Sequence, residues 1–459
     1  MKKLKDKLIR ALGALKAIPL KLRRPLSALA KRLAALKTKL FAVLLAALFV
    51  FSAAWIFVSG TRSSAGGFTV WAAAEEETLV RALIDEFLAA NPDVTTPITF
   101  KVQSNNMVLS EMEKDADAAA DLILIASDQV GTLAEQGFIS KIGGSFETSV
   151  IQNSDPAAVK LASYRPDGAS ADELYGFPVS LDTCFMYYNK SIINEQAKNL
   201  DKLLSVESLK TVAAQGLEDA FGFDIGDGFY SAIPFLTAGA TLFGADGTDK
   251  TQCDFYTSEQ GLAAARYMFD NFTNGSAALF KSDKANNLAS LLNSNKLLAT
   301  VSGSWEWNNS FARYADKIGM APLPSITLDI GGAEQKRQMV SFINAKIYAV
   351  NSRSRDAALA ARLADFMTGE KNAIRWFRER RYYAANRAAQ ADAEFMSDPM
   401  IRVMRSQFNS AVAAPSIKQM SKFWDPMGRF GQAVYSGTAK TWEQAKNELR
   451  LSVDKILTE

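Results

Sequence analysis

The 459 residues carry 52 Lys and Arg against 49 Asp and Glu, with two cysteines and no histidine. The missing histidine excludes Ser-His and Cys-His triads, His-based acid/base work and the usual zinc sites, and the length exceeds one ordinary hydrophobic core, so a globular part of two lobes is expected. The near-neutral balance hides a division: the first 40 residues hold 13 basic residues against Asp6 alone, and the remainder has nine more acids than bases. An acidic body argues against nucleic-acid binding, which needs a positive face.

Residues 1–39 place leucines and alanines at helical spacing between the charges, broken by Pro19 and Pro25. This suits a basic amphipathic helix on an anionic inner leaflet, and equally a solvated tail that only sets topology. Residues 40–59 are 20 uncharged, almost wholly apolar residues, long enough to cross a bilayer as a helix. The positive flank makes the N-terminus cytoplasmic and exports the rest. A cleaved signal peptide competes, since Ser63, Ser64 and Ala65 precede Gly66, but so long a basic region and apolar core favour an uncleaved single-pass anchor. No cysteine follows the run closely enough for lipid attachment, and residues 60–67, GTRSSAGG, form a flexible linker.

The body opens with a strand over residues 68–71 and a helix over 75–90, in which Leu79, Leu83, Ile84, Phe87 and Leu88 share a face and Asn91-Pro92 is the stop. Residues 98–103 read as the next strand, and DLILIA, 121–126, as a buried parallel strand followed by a helix to Gly137. The same alternation returns with a strand at 184–190, a helix from Ile192, strands at 297–302 and 346–351, and helices at 355–369, stopped by Gly369, and 441–457. Two α/β lobes follow.

No phosphate loop, nucleophile elbow or dinucleotide fingerprint occurs, and GADGTDK, 244–250, lacks the ligand spacing of a calcium loop. No cofactor or metal is expected. Cys184 and Cys253 permit a disulfide without requiring one. Glu75 and Glu76 could form a glycosidase acid pair, but acids in a first helical turn also suit the dipole with no further role. Aromatic residues in polar, loop-like settings are more informative. Trp305 and Trp307 in SGSWEWNN directly follow a strand, Tyr230 lies in DIGDGFYSAIPF, and Trp424 in QMSKFWDP. A sugar ring needs this mixture, because its apolar face packs on an aromatic ring while its hydroxyls seek charged partners.

From about residue 68 onward the chain resembles the bacterial family 1 extracellular solute-binding proteins, and among them the maltose/maltodextrin-binding proteins. The segments that carry the likeness are FTVWAAAEEE, DLILIASDQVGTLAEQGFI, YGFPVSLDTCFMYYNK, VSGSWEWNN and APSIKQMSKFW. The resemblance implies an α/β, two-lobe, periplasmic-binding-protein-like fold with three interlobe crossings near residues 181–185, 340–344 and 389–396. The N-lobe is then 66–181 with 341–389, and the C-lobe 185–338 with 396–459. It further implies a monomer that closes on its ligand and delivers it to the membrane subunits of an ABC importer, while residues 1–59 are expected to touch lipid through their apolar run and basic arm.

By the same resemblance, Trp305 and Trp424 match the family's stacking tryptophans and Tyr230 its stacking tyrosine. Asp128 and Asp182 match ligand-binding carboxylates, and Glu75 keeps a carboxylate in the first loop. Three positions depart from the pattern: Glu76 replaces a lysine, Ile125 a tryptophan and Gln129 an arginine. Glu76 and Trp307 are further ligand-binding candidates. The expected function is a membrane-tethered, non-enzymatic receptor for malto-oligosaccharides or related gluco-oligosaccharides. A tethered sugar sensor with the same fold and no transport role is the alternative.

Overall fold

A computed structural model of the protein describes residues 67–273 and 280–458. The basic arm, the apolar run and the linker up to Gly66 lie outside the described residues. Among the described residues no helix is long and apolar enough to cross a membrane.

Strand Phe68–Ala72 alternates buried and half-buried positions, so Phe68, Val70 and Ala72 face a core. It pairs in parallel with Ile98–Val102 and Leu122–Ala126. Helix Glu77–Ala90 makes the first crossover and buries Leu79, Val80, Leu83, Ile84 and Phe87. It starts later than the sequence pattern suggests because Ala74–Glu76 forms a separate 3-10 turn. It ends at Asn91, whose side-chain amide donates to Phe87 O at 2.7 Å.

The 13-residue strand Phe177–Asn189 is the spine of the molecule. Its sequence pattern becomes legible only near Cys184, because Pro178, Ser180 and Asp182 read as a break. Pro178 is tolerated because the ladder to the antiparallel strand Ser341–Val350 shifts register between Lys346 and Ile347, and a bulge accepts a residue without an N–H. The first half of the spine pairs with Ser341–Val350, which also joins Leu122–Ala126. The second half pairs with Leu297–Gly303, followed outward by Asp219–Gly222 and Phe280–Lys281. The two sheets are continuous through this one strand.

Each sheet has its own core. The first gathers Val70, Leu83 and Leu124 with Trp376 and Phe377 of helix Glu370–Arg380. The second sets Phe221 and Phe223 against helices Gly228–Ala238, Glu259–Phe272, Trp424–Tyr435 and Trp442–Leu457. Two lobes follow from two separately buried apolar sets.

The first apolar set reaches along the spine into the second sheet, through Phe185, Tyr187, Leu297 and Ile318. Helix Pro399–Phe408 buries Met400, Ile401 and Met404 in the first core, and Ala411–Ala413 adds an edge strand to Ser341–Val350. Leu288, Leu292 and Phe311 pack around Phe185 and Tyr187 in the second half of the spine. An amphipathic helix stays with whichever lobe covers its apolar face, and its own period does not say which.

Two local expectations also change. No helix starts at Ile192, where Asn189, Asn194 and Asn199 bond neighbouring backbone groups instead, a competition that disfavours helix. Gly369 ends helix Ala357–Thr368 in an extended conformation and serves as the N-cap of Glu370–Arg380. The C-terminal helix Trp442–Leu457 begins as its sequence suggests, with a capping box between Thr441 and Gln444.

Candidate functional site

Sequence order puts Tyr230, Trp305 and Trp424 on three separate C-lobe segments, and the fold brings them round one residue, Phe229. Asp227 caps helix Gly228–Ala238 by accepting from Phe229 N at 2.8 Å, which fixes the start of the helix and the two rings that follow. Phe229 meets Trp305 edge-on, with centroids 5.4 Å apart and planes at 85°, and Trp424 at 5.9 Å and 35°. Phe342 of the return strand closes the group, 6.0 Å from Phe229 and 6.1 Å from Trp424. The sequence reading passed over Phe229 and Phe342. The only local signal for Phe229 was its adjacency to Tyr230.

Backbone economy holds these rings in place. Trp305 directly follows strand Leu297–Gly303, and a Cβ at Gly303 would sit 2.2 Å from its ring. A Cβ at Gly228 would sit 2.3 Å from Trp424 O, so glycine is what allows helix Gly228–Ala238 to approach that residue. Tyr230 is 9% exposed, and its hydroxyl lies 3.4 Å from Ser302 Oγ. Trp307 lies apart from this group, stacked on Tyr187 at 6.3 Å and 10° and packed on the first core.

The carboxylates meet the rings from the other lobe and the crossing strand. Ser127 Oγ accepts from Ala345 N at 2.9 Å and so pins the 3-10 turn Ser127–Gln129 to the return strand. This places Asp128 Oδ2 2.9 Å from Trp424 Nε1, a bond between the lobes. Asp182, 6% exposed in the spine, accepts from Ser304 Oγ at 3.0 Å and Ser180 Oγ at 3.3 Å. Glu75 is exposed in the turn after the first strand.

Glu76 is wholly buried and paired. Its Oε1 accepts from Lys346 Nζ at 2.9 Å and Tyr382 OH at 2.5 Å. Burial pushes its carboxyl upward, but Lys346, Tyr382 and Arg380 together outweigh burial and hold it below the ordinary glutamate value. Burial likewise opposes the Lys346 ammonium, and Tyr382, Glu76 and Asp182 more than offset it. Gln129 and Ile125, at two of the departures from the family pattern, have structural surroundings. Gln129 Nε2 donates to Asn105 O at 2.6 Å, and Ile125 is fully buried opposite Ile347. Lys346, which the sequence reading saw only as a strand residue, supplies a cation on this side.

The family model described as bacterial extracellular solute-binding protein matches residues 82–403. The chain belongs to that family. Among its relatives, the galactooligosaccharide-binding protein of Bacillus subtilis (strain 168) is 25% identical over 392 residues, covering 83% of this chain and 88% of the relative. The maltodextrin-binding protein MdxE of the same strain is 24% identical over 435 residues, covering 91% and 97%. Among solved structures, the ligand-free maltodextrin binding protein MalE1 from L. casei BL23 superposes with a TM-score of 0.70 at 22% identity, over 86% of this chain and all of that one, an agreement of fold.

In this solute-binding protein both cysteines are buried free thiols. A cavity of about 280 Å³ also lies between the lobes, lined by Tyr164, Asp167, Gly247 and Pro415, and none of the candidate site residues borders it.

Burial raises the carboxyl of Asp128, with the Trp424 bond partly offsetting it, and raises that of Asp182 against the opposing pull of Lys346 and the serine hydroxyls. A carboxylate accepts from hydroxyls at both oxygens only while ionised. Ligand affinity is therefore expected to fall on acidification before the pH reaches the ordinary aspartate value of about 4, as read by dissociation constants across that range. The empty fold responds oppositely: carboxyls with raised pKa stabilise it as they protonate and lose that contribution as the pH rises through their folded values. Affinity that stays flat down to about pH 4 would count against both aspartates as ligand acceptors.

Proposed function

We propose that this protein is an extracytoplasmic receptor for neutral oligosaccharides, malto-oligosaccharides or related gluco-oligosaccharides, which closes its lobes on the sugar and presents it to an ABC importer. The observation that carries the reading is the cluster of Phe229, Tyr230, Trp305 and Trp424 facing Asp128 across the lobes, with Asp182 close behind at the crossing. The rings offer apolar platforms for pyranose faces, and the carboxylates offer strong acceptors for the hydroxyl rim. Glu75, Asp128, Asp182, Tyr230, Trp305 and Trp424 hold the ligand in this reading. The relatives' names, one for maltodextrin and one for galactooligosaccharide, agree on carbohydrate and differ on the sugar.

Binding works through differential affinity for the closed form, since expelling water as the lobes meet strengthens every hydrogen bond in the cleft. No bond-breaking group is required. The apolar run of residues 40–59 acts as an uncleaved tether that keeps the receptor beside its importer.

The test is a tryptophan-fluorescence titration of the full-length chain with maltotriose, maltotetraose and a galactooligosaccharide. Saturable binding of at least one is expected, and a flat response across all three removes the carbohydrate reading.

A further inference from the structure

The N-lobe half of the cleft has an unfinished hydrogen-bond set. Glu76 Oε1 carries both partners of that side chain, and Oε2 is buried without one. Lys346 donates to Glu76 and, in the amide orientation that satisfies both ends of Asn105, to Asn105 Oδ1 at 3.1 Å. An ammonium has three N–H groups, so one remains. Asn344 Oδ1 is likewise buried and unpartnered.

These groups stand in a row. Phe342, Asn344 and Lys346 alternate along one face of strand Ser341–Val350. Phe342 touches the aromatic group, Asn344 lies opposite Asp182 in the ladder, and Lys346 is opposite Ser180. Lys346 keeps 14% of its side chain exposed, whereas Glu76 keeps none. The row therefore runs from the aromatic platforms into the charged cluster.

We propose that Lys346 is the ligand-selecting cation of the N-lobe half, donating its remaining N–H to a sugar hydroxyl oxygen while Asn344 Oδ1 accepts from a neighbouring hydroxyl. The inference rests on the carbohydrate reading above. The lysine that the family resemblance expects at position 76 is replaced by Glu76, so the positive charge is delivered from strand Ser341–Val350 and the carboxylate holds it in place. Lys346 stands between Glu76 and Asp182, and its charge is already answered by acids. The sugar end that it contacts is therefore an uncharged one.

Lys346→Met alone would strand a buried carboxylate, so the deciding variant is the full-length double substitution Glu76→Gln/Lys346→Met, which removes both charges at similar volume. Isothermal titration uses whichever of maltotriose, maltotetraose or a galactooligosaccharide the parent chain binds. The double variant is expected to weaken that sugar's binding by roughly 10- to 100-fold while retaining the parent's melting temperature within a few degrees. Lys346→Arg, which keeps the pair with Glu76 but moves the donors, is expected to lose affinity in the same direction. Parental affinity in either variant overturns the proposal, because Lys346 would then serve only to neutralise Glu76. A parent chain that binds none of the sugars overturns the carbohydrate reading and this inference with it.

Discussion

Trp305→Ala in the full-length chain is expected to weaken oligosaccharide binding by roughly 30- to 150-fold and to shift the melting temperature little. Trp305 is half-buried at the end of its strand, with Phe229 against it edge-on and Gly303 beneath its ring. It is held rigid before any ligand arrives, so a sugar stacking on it gives up little side-chain entropy. Truncation removes the apolar area and the ring quadrupole together, of order 2–3 kcal/mol at the centre of a site. The fold loses less, because Trp305 is only half-buried at the margin of the second core. Isothermal titration and a thermal melt of the same preparation separate the two effects. Affinity within about threefold of the parent would mean that Trp305 is not a platform.

The largest loss of stability is expected from Trp376→Ala, at about 3–5 kcal/mol. Trp376 is fully buried, its Nε1 donates to Met367 O at 3.1 Å, and its ring lies parallel to Tyr382 at 5.7 Å and 5°. Alanine leaves a cavity and an orphaned carbonyl in the first core. The consequence extends to the cleft, since Tyr382 carries the hydroxyl that bonds Glu76, and Glu76 holds Lys346. A melting temperature several degrees lower is expected, with a smaller secondary loss of sugar affinity. A melt indistinguishable from the parent would show that the first core repacks around the gap.

Much of the candidate site was legible because its signals are local. A tryptophan in SGSWEWNN or KFWDP is surrounded by residues that make poor core, and it follows a strand or opens a helix, where side chains point into a cleft. Asp128 and Asp182 were legible only through the family resemblance, since a carboxylate beside an apolar strand carries no local mark of its own. Phe229 and Phe342 were not legible, since a phenylalanine in an apolar stretch looks like any core residue until its neighbours are known. Lys346 was hidden for a different reason: its partners Glu76 and Tyr382 lie 270 and 36 positions away in the chain, and separations of that kind leave no periodic trace.

The sequence by itself determined the division into a basic arm, an apolar run and an acidic α/β body, because net charge, hydrophobic length and the periods of strand and helix are properties of neighbouring residues. It also singled out Tyr230, Trp305 and Trp424 as candidate platforms, through aromatic residues in polar surroundings. Only the tertiary structure decided that helix Pro399–Phe408 lies on the spine strand, since its amphipathic period alone names no partner. It alone decided that Glu76 is a buried anchor for Lys346. The burial that makes such a pairing necessary exists only once the turn Ala74–Glu76 meets strand Ser341–Val350.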